Sequence, residues 1–220
     1  MGLKRALRRF LLRRRLPVPS LLVRHKERPL YAALNRLRPG DIVIDLGANV
    51  GRTVTLFAGR GCVVHAYEPN PDAFAVLQAA VAGHRAVSLH QAAVGEAAGH
   101  ARLYLRTGYR GGDHDHLESS SLLADKSNVD PERFYEVEVR DAAEVVAAVP
   151  GRIALLKIDV EGAEYAILRR LIAAGALDRI ERVVVETHAD RIASLRDAHR
   201  EIEALIAARG LGAKIRFGWE

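Results

Sequence analysis

From Asp41 onward, short apolar runs alternate with longer stretches of helical period. Asp41–Asp45, Val63–Tyr67, Ala86–His90, Ile153–Ile158 and Arg182–Glu186 read as strands, and several of them are almost wholly apolar. A run such as Val183-Val-Val185 suits a strand buried on both faces. Between the runs, Thr53–Ala58, Pro71 to about Ala82, Glu161–Ala173 and Asp190–Ala208 carry the period of amphipathic helices, and a last apolar segment runs from Leu211 to Phe217. Strands alternating with helices predict βαβ units: a Rossmann-like α/β domain, with a mostly parallel sheet and helices on both faces. Residues 95–150 break the rhythm. There Arg102–Leu105 and Tyr135–Arg140 alternate apolar with polar residues around a loop rich in Gly, Asp, His and Ser. They predict a β-containing insertion between the third and fourth parallel strands, over the sheet edge or the active site.

The amino-terminal segment differs in kind. Leu3, Leu7, Phe10 and Leu11 recur at helical spacing among arginines, before Pro17 and Pro19. Residues 1–28 hold ten Lys/Arg against Glu27, a net +9, so the chain total of +6 leaves −3 for residues 29–220. The basic character therefore belongs to a leader, 1–28, and not to the domain, 29–220. That excludes nucleic-acid binding as an inference from charge. It admits contact with an anionic membrane surface or an acidic partner. No apolar run is long enough to span a bilayer, and arginines interrupt any signal-peptide core. Cys62 has no cysteine to pair with and sits beside an apolar run, as a small buried hydrophobe would. A cytoplasmic protein is expected, with a peripheral position at the inner membrane surface open through the leader.

In an open α/β sheet, ligands bind at the carboxyl ends of the strands. Those ends carry Asp45, Glu68, Gln91, Asp159, and Glu186 with His188. The first turn reads Asp45-Leu-Gly47-Ala-Asn49-Val-Gly51. Gly47 permits a sharp turn and a close ligand, and Gly51 permits tight helix packing. Asp45 beside that turn would repel a pyrophosphate and suit a cationic ligand. Glu68, 21 residues after Gly47, stands where Rossmann units place an acid on ribose hydroxyls.

Five segments then resemble the FkbM family of S-adenosylmethionine-dependent methyltransferases: Val43–Gly51, Tyr67-Glu-Pro-Asn-Pro71, Glu118-Ser-Ser-Ser-Leu122, Leu156-Lys-Ile-Asp-Val-Glu-Gly-Ala-Glu164 and Val185-Glu-Thr-His188. The resemblance implies a class I methyltransferase fold, S-adenosyl-L-methionine as cofactor, and O-methylation of a hydroxyl on a small-molecule or glycan acceptor, a sugar or a secondary metabolite. By position it places Asp45, Gly47, Asn49 and Gly51 on the methionine part, Glu68 on the ribose, Asn70 at the border of the adenosine pocket and Ala93 near the adenine. It sets Asp159 before the methyl-transfer centre. Gln91 departs from the pattern, offering no carboxylate to the adenine amino group. One strand follows the fifth where most class I enzymes have an antiparallel pair, so a far edge that is incomplete or differently built is expected.

Methyl transfer from a sulfonium needs alignment and removal of the acceptor proton. Asp159 is the leading base, and Glu186 and His188 are the alternatives. Lys157, on the same strand as Asp159, is available to pair with one of these acids. Glu161 and Glu164 read as first-turn helix acids. The run Gly111-Gly-Asp-His-Asp-His116 reads as a substrate loop, and no metal site is assigned, although a divalent metal near Asp159 and Glu186 stays open. Ser119, Ser120 and Ser121 read as acceptor contacts or turn caps. Two other functions also stay open: a nicotinamide-dependent oxidoreductase, which would want the Gly-x-Gly-x-x-Gly turn missing here, and a non-catalytic cofactor-binding scaffold recruited by the leader.

Overall fold

The computed structural model describes residues 6–7, 10–12, 14, 16–109, 120–189 and 192–218. Six strands form one parallel sheet in the order β3-β2-β1-β7-β8-β9. They are β1 (Ile42–Leu46), β2 (Val63–Tyr67), β3 (Val87–His90), β7 (Ile153–Ile158), β8 (Val183–Glu186) and β9 (Ile215–Gly218). The helices are α1 (Arg28–Leu34), α2 (Arg52–Gly59), α3 (Pro71–Val81), α4 (Ala142–Ala148), α5 (Glu164–Ala173) and α6 (Arg196–Ala208). The period of two along each strand divides the core. Val43, Leu155 and Val184 pack with Leu34, Val54, Phe57 and Leu77 on one face. Their chain neighbours Ile44, Leu156, Val183 and Val185 pack with Val145, Leu168, Leu171, Ile202 and Ile206 on the other.

Crossovers leave β1 toward β2 and β3, and leave β7 toward β8 and β9. The order therefore reverses between β1 and β7, the switch point where such sheets open a crevice. The far edge is built differently from an antiparallel pair: β9 lies parallel to β8, from Val183↔Ile215 to Glu186↔Gly218.

The insertion forms its own sheet, β4-β6-β5, from β4 (Ala93–Gly95), β5 (Gly99–Arg106) and β6 (Val129–Asp141). Its alternation buries Leu103 and Val137 against Ala93. The hydroxyls of Tyr109 and Tyr135 both donate to Asp72 Oδ2 in the first turn of α3, fastening the insertion to the main sheet's carboxyl side. The segment 111–116 lies outside the described residues.

One expectation changes. The helix predicted from Glu161 begins at Glu164, because Glu161 and Gly162 take left-handed φ values of 56° and 126°. Part of the basic segment also packs on the domain. Val18 and Val23 are buried in the core cluster of α1 and α2, and Val18 exchanges N–H and C=O hydrogen bonds with the Asn35 side chain, each 2.8 Å. Arg60 also donates to the Leu16 carbonyl at 2.9 Å. Charge marks the segment as distinct, yet Val18 and Val23 belong to the core. Val18→Ala and Val23→Ala are each expected to lower unfolding free energy by about 1–3 kcal/mol in urea denaturation, the cost of a buried aliphatic group lost.

Candidate active site

The β1 and β7 ends meet around one buried ammonium. Asp45 and Lys157 are register partners on neighbouring strands, so their side chains emerge on the same face. Lys157 Nζ lies 3.0 Å from Asp45 Oδ1 and 3.2 Å from Asp159 Oδ2, and donates to the Gly47 carbonyl at 2.8 Å. Thr53, in the first turn of α2, donates its hydroxyl to Asp45 Oδ2 at 2.5 Å. Burial works against the charge on Lys157, but Asp159 and Asp45 outweigh it and hold its pKa above the ordinary lysine value. Asp45 thus stands beside the glycine turn, as expected, with protein partners of its own. Its side chain is 0 % exposed and engaged by Lys157 and Thr53, so it anchors the lysine.

Gly47 is required where it stands. It has φ 78°, and a Cβ there would fall 1.7 Å from the Asp159 carbonyl oxygen. The turn after β1 and the loop after β7 are therefore in backbone contact. Asn49 also takes a left-handed φ of 48°, with its Oδ1 accepting from the Val50 N–H at 2.6 Å. Gly51, at φ 83°, begins α2, whose amino end has no side-chain cap.

Glu68 closes this turn from the β2 side. Its two oxygens accept the N–H groups of Asn49 and Asn70, each at 2.8 Å, and the residue is 7 % exposed. A carboxylate has about four acceptor positions, so two remain. Burial, opposed by those two N–H groups and Lys157, pushes its pKa up to about 7. Asn70 caps α3, accepting from the Asp72 and Ala73 N–H groups, while its amide donates to Ser120 Oγ at 3.2 Å. Its side chain is thus committed to the protein beside the expected adenosine border. Ala93 is buried in β4 against Leu103 and Val137.

Asp159, Glu161 and His188 come together at the β7 and β8 ends, with ligand atoms within 4.8 Å of one another. Glu186 stands half-buried at the end of β8, its pKa pushed up to about 8 by burial and then by Asp159. His188 is 0 % exposed. Its Nδ1 lies 3.2 Å from Glu164 Oε1, and its backbone N–H donates to the same oxygen at 3.1 Å. Burial opposes the imidazolium, but Glu164, Glu161 and Asp159 prevail and draw its pKa upward.

Some site contacts escaped the sequence. Lys126 is buried with Nζ 2.6 Å from Glu161 Oε2, and nothing local marks it. Ser121, read as an acceptor contact or turn cap, instead donates to the Glu161 carbonyl at 2.6 Å, a clamp on the β7–α5 loop. Thr53 was more accessible, as a hydroxyl two residues past Gly51. Glu164 does sit in a first helical turn, but it is fully buried and binds the Gly162 N–H and His188. The described cavity of about 580 Å³, lined by Arg28, Arg36, Arg182, Lys214 and Arg216 among others, lies at the opposite, amino end of β8 and β9.

Sheet order, glycine turn and acid-bearing strand ends define a Rossmann-like domain with its working edge at the β1/β7 switch point. The chain belongs to the FkbM methyltransferase family: the methyltransferase FkbM domain matches residues 45–212. It is 33% identical over 204 residues to the 31-O-demethyl-FK506 methyltransferase FkbM of Streptomyces tacrolimicus, covering 79% of this chain and 74% of the relative. Among solved structures, an rRNA methylase from Streptococcus thermophilus aligns with 84% of this chain and 80% of its own, at 11% identity and a TM-score of 0.46. A SAM-dependent methyltransferase from Geobacter sulfurreducens, in complex with S-adenosyl-L-homocysteine, aligns with 37% of this chain and 34% of its own, at 22% identity and a TM-score of 0.25.

Removing the ammonium while leaving its acids should be costly. Lys157→Met is expected to destabilise by about 3–5 kcal/mol in chemical denaturation, since it strands a buried carboxylate. Adding Asp45→Asn to that variant should restore part of the loss.

Proposed function

We propose that the protein is an S-adenosylmethionine-dependent O-methyltransferase acting on a hydroxyl of a small molecule or glycan. The observation that carries the reading is Glu68, which joins the β1 and β2 turns and keeps acceptor positions for a ribose diol. The residues present fit the cofactor. The turn Gly47–Gly51 and the uncapped amino end of α2 suit its methionine carboxylate. Asp159 is 25% exposed and gives the edge a negative group that suits a sulfonium. When bound, S-adenosylmethionine supplies an electrophilic methyl group and a neutral thioether leaving group.

The chain's own task is then positional and basic. Asp159, oriented by Lys157, takes the acceptor hydroxyl proton as the oxygen–carbon bond forms and the sulfur–carbon bond breaks. Glu186, whose pKa burial raises toward neutrality, is the secondary acid–base group. His188, held by Glu164 and facing Glu161, orients the edge instead of acting as the base. The family assignment and the absence of a second close glycine in the turn weigh against a nicotinamide cofactor.

Isothermal calorimetry tests this directly. Wild-type protein should bind S-adenosylmethionine, and Glu68→Ala should weaken it severely. Because the free-state pKa of Glu68 is raised from 4.5 to about 7, ionising it costs the ligand-free protein stability between those values. Binding should therefore tighten with rising pH, by up to about tenfold per pH unit below about 7, and Glu68→Gln should flatten that profile. Absence of binding at every pH would overturn the assignment.

We also propose peripheral contact of the leader with an anionic membrane. The exposed large apolar side chains among the described residues, Leu7, Phe10, Leu16 and Leu21, all lie in this basic segment. No helix among the described residues is long and apolar enough to cross a membrane. Vesicles containing phosphatidylserine should carry the protein in flotation, neutral vesicles should not, and salt should release it. Loss of binding in a Leu7→Ser, Phe10→Ser variant would assign the contact to this segment.

A further inference from the structure

We infer that Asp159, Glu161 and His188 form a divalent-cation site of the Mn²⁺/Mg²⁺ class. This deepens the methyl-transfer reading, since the site shares Asp159 with it. The ligand atoms of the three residues lie within 4.8 Å of one another. Ligands around one cation at about 2.1 Å stand no more than about 4.2 Å apart, so a contraction of a few tenths of an ångström completes the set.

His188 supplies the independent observation. It is fully buried, and Nε2 makes no hydrogen bond. That nitrogen nevertheless faces Glu161 Oε2 at 3.2 Å, an ion-pair distance without hydrogen-bond alignment. About 3 Å is also the separation of adjacent ligands on a six-coordinate cation. The other ring nitrogen is held as metal-bound histidines usually are, against a carboxylate, here Glu164 Oε1 at 3.2 Å. Glu164 is fixed in turn by the Gly162 N–H at 2.8 Å.

Charge points the same way. Three carboxylates, Asp45, Asp159 and Glu161, meet two ammonium groups, Lys126 and Lys157, and Glu164 adds a fourth carboxylate behind His188. Each lysine contacts Glu161 or Asp159 through one oxygen, which leaves acceptor capacity on both carboxylates. One imidazole and two carboxylates, completed by water, suit a hard to borderline six-coordinate ion, and the imidazole favours Mn²⁺ over Mg²⁺. A cation here would draw in the acceptor oxygen and lower the pKa of its hydroxyl, which eases proton transfer to a weak base.

The test is Mn²⁺ titration of chelator-treated full-length protein without S-adenosylmethionine, read by loss of the aqueous Mn²⁺ electron paramagnetic resonance signal. One ion should bind per chain and be displaced by excess Mg²⁺. Glu161→Gln, partly exposed and least disruptive to folding, should weaken binding at least tenfold. Glu164→Gln, acting through His188, should weaken it by about 10- to 100-fold. Near-UV circular dichroism monitors folding of both. An unchanged signal with wild-type protein at millimolar Mn²⁺, or equal binding by Glu161→Gln, overturns the site. S-adenosylmethionine calorimetry on the same samples separates the two readings: Mn²⁺ binding without cofactor binding removes the methyl-transfer proposal and leaves the cation site standing.

Discussion

The working edge hangs on the Lys157 ammonium. Buried between β1 and β7, it meets two carboxylates and a backbone carbonyl. An unpaired ammonium at this depth would cost several kcal/mol, and so would Asp45 alone. Together they lock the two strands that diverge at the switch point, and they hold the loops after them in contact through Gly47 and Asp159. The two halves of the site inherit their spacing from that ion pair.

A second set of tethers closes the edge from above. The insertion reaches α3 through Asp72, the α3 cap through Ser120, and the β7–α5 loop through Ser121 and Lys126. The loop receiving these bonds contains Glu161 in a left-handed conformation, which costs a non-glycine residue about 1–2 kcal/mol. Lys126 and the hydroxyl of Ser121 hold both the side chain and the carbonyl of that residue. The insertion thus contributes to the site by fixing the β7–α5 loop.

The acids of the edge divide by burial. Asp45 and Glu164 are wholly enclosed and serve as anchors for Lys157 and His188. Glu68, Asp159, Glu161 and Glu186 keep some exposure or spare acceptor capacity. An edge with this surplus of carboxylates would favour cationic ligands, which is why the sulfonium and the divalent ion are the ligands proposed for it.

Much of this was legible along the chain. The five parallel strands, the helices between them and the acids at the strand ends follow from apolar periodicity and glycine placement, which are local properties. The five motifs marked the family, and Lys157 was recognisable as a partner for an acid. What periodicity could not tell is which acid lies inside. Asp45 and Glu68 look alike as strand-end acids, yet one is an anchor and the other keeps acceptor positions free. Their difference depends on Lys157, more than a hundred positions from Gly47, and on the parallel register that sets it beside Asp45. The helix start at Glu164, the packing of Val18 and Val23, and the grip of Lys126 on Glu161 were likewise decided by tertiary contact. Backbone period and turn chemistry are encoded by neighbours in sequence, whereas burial and charge pairing exist only once distant segments have met.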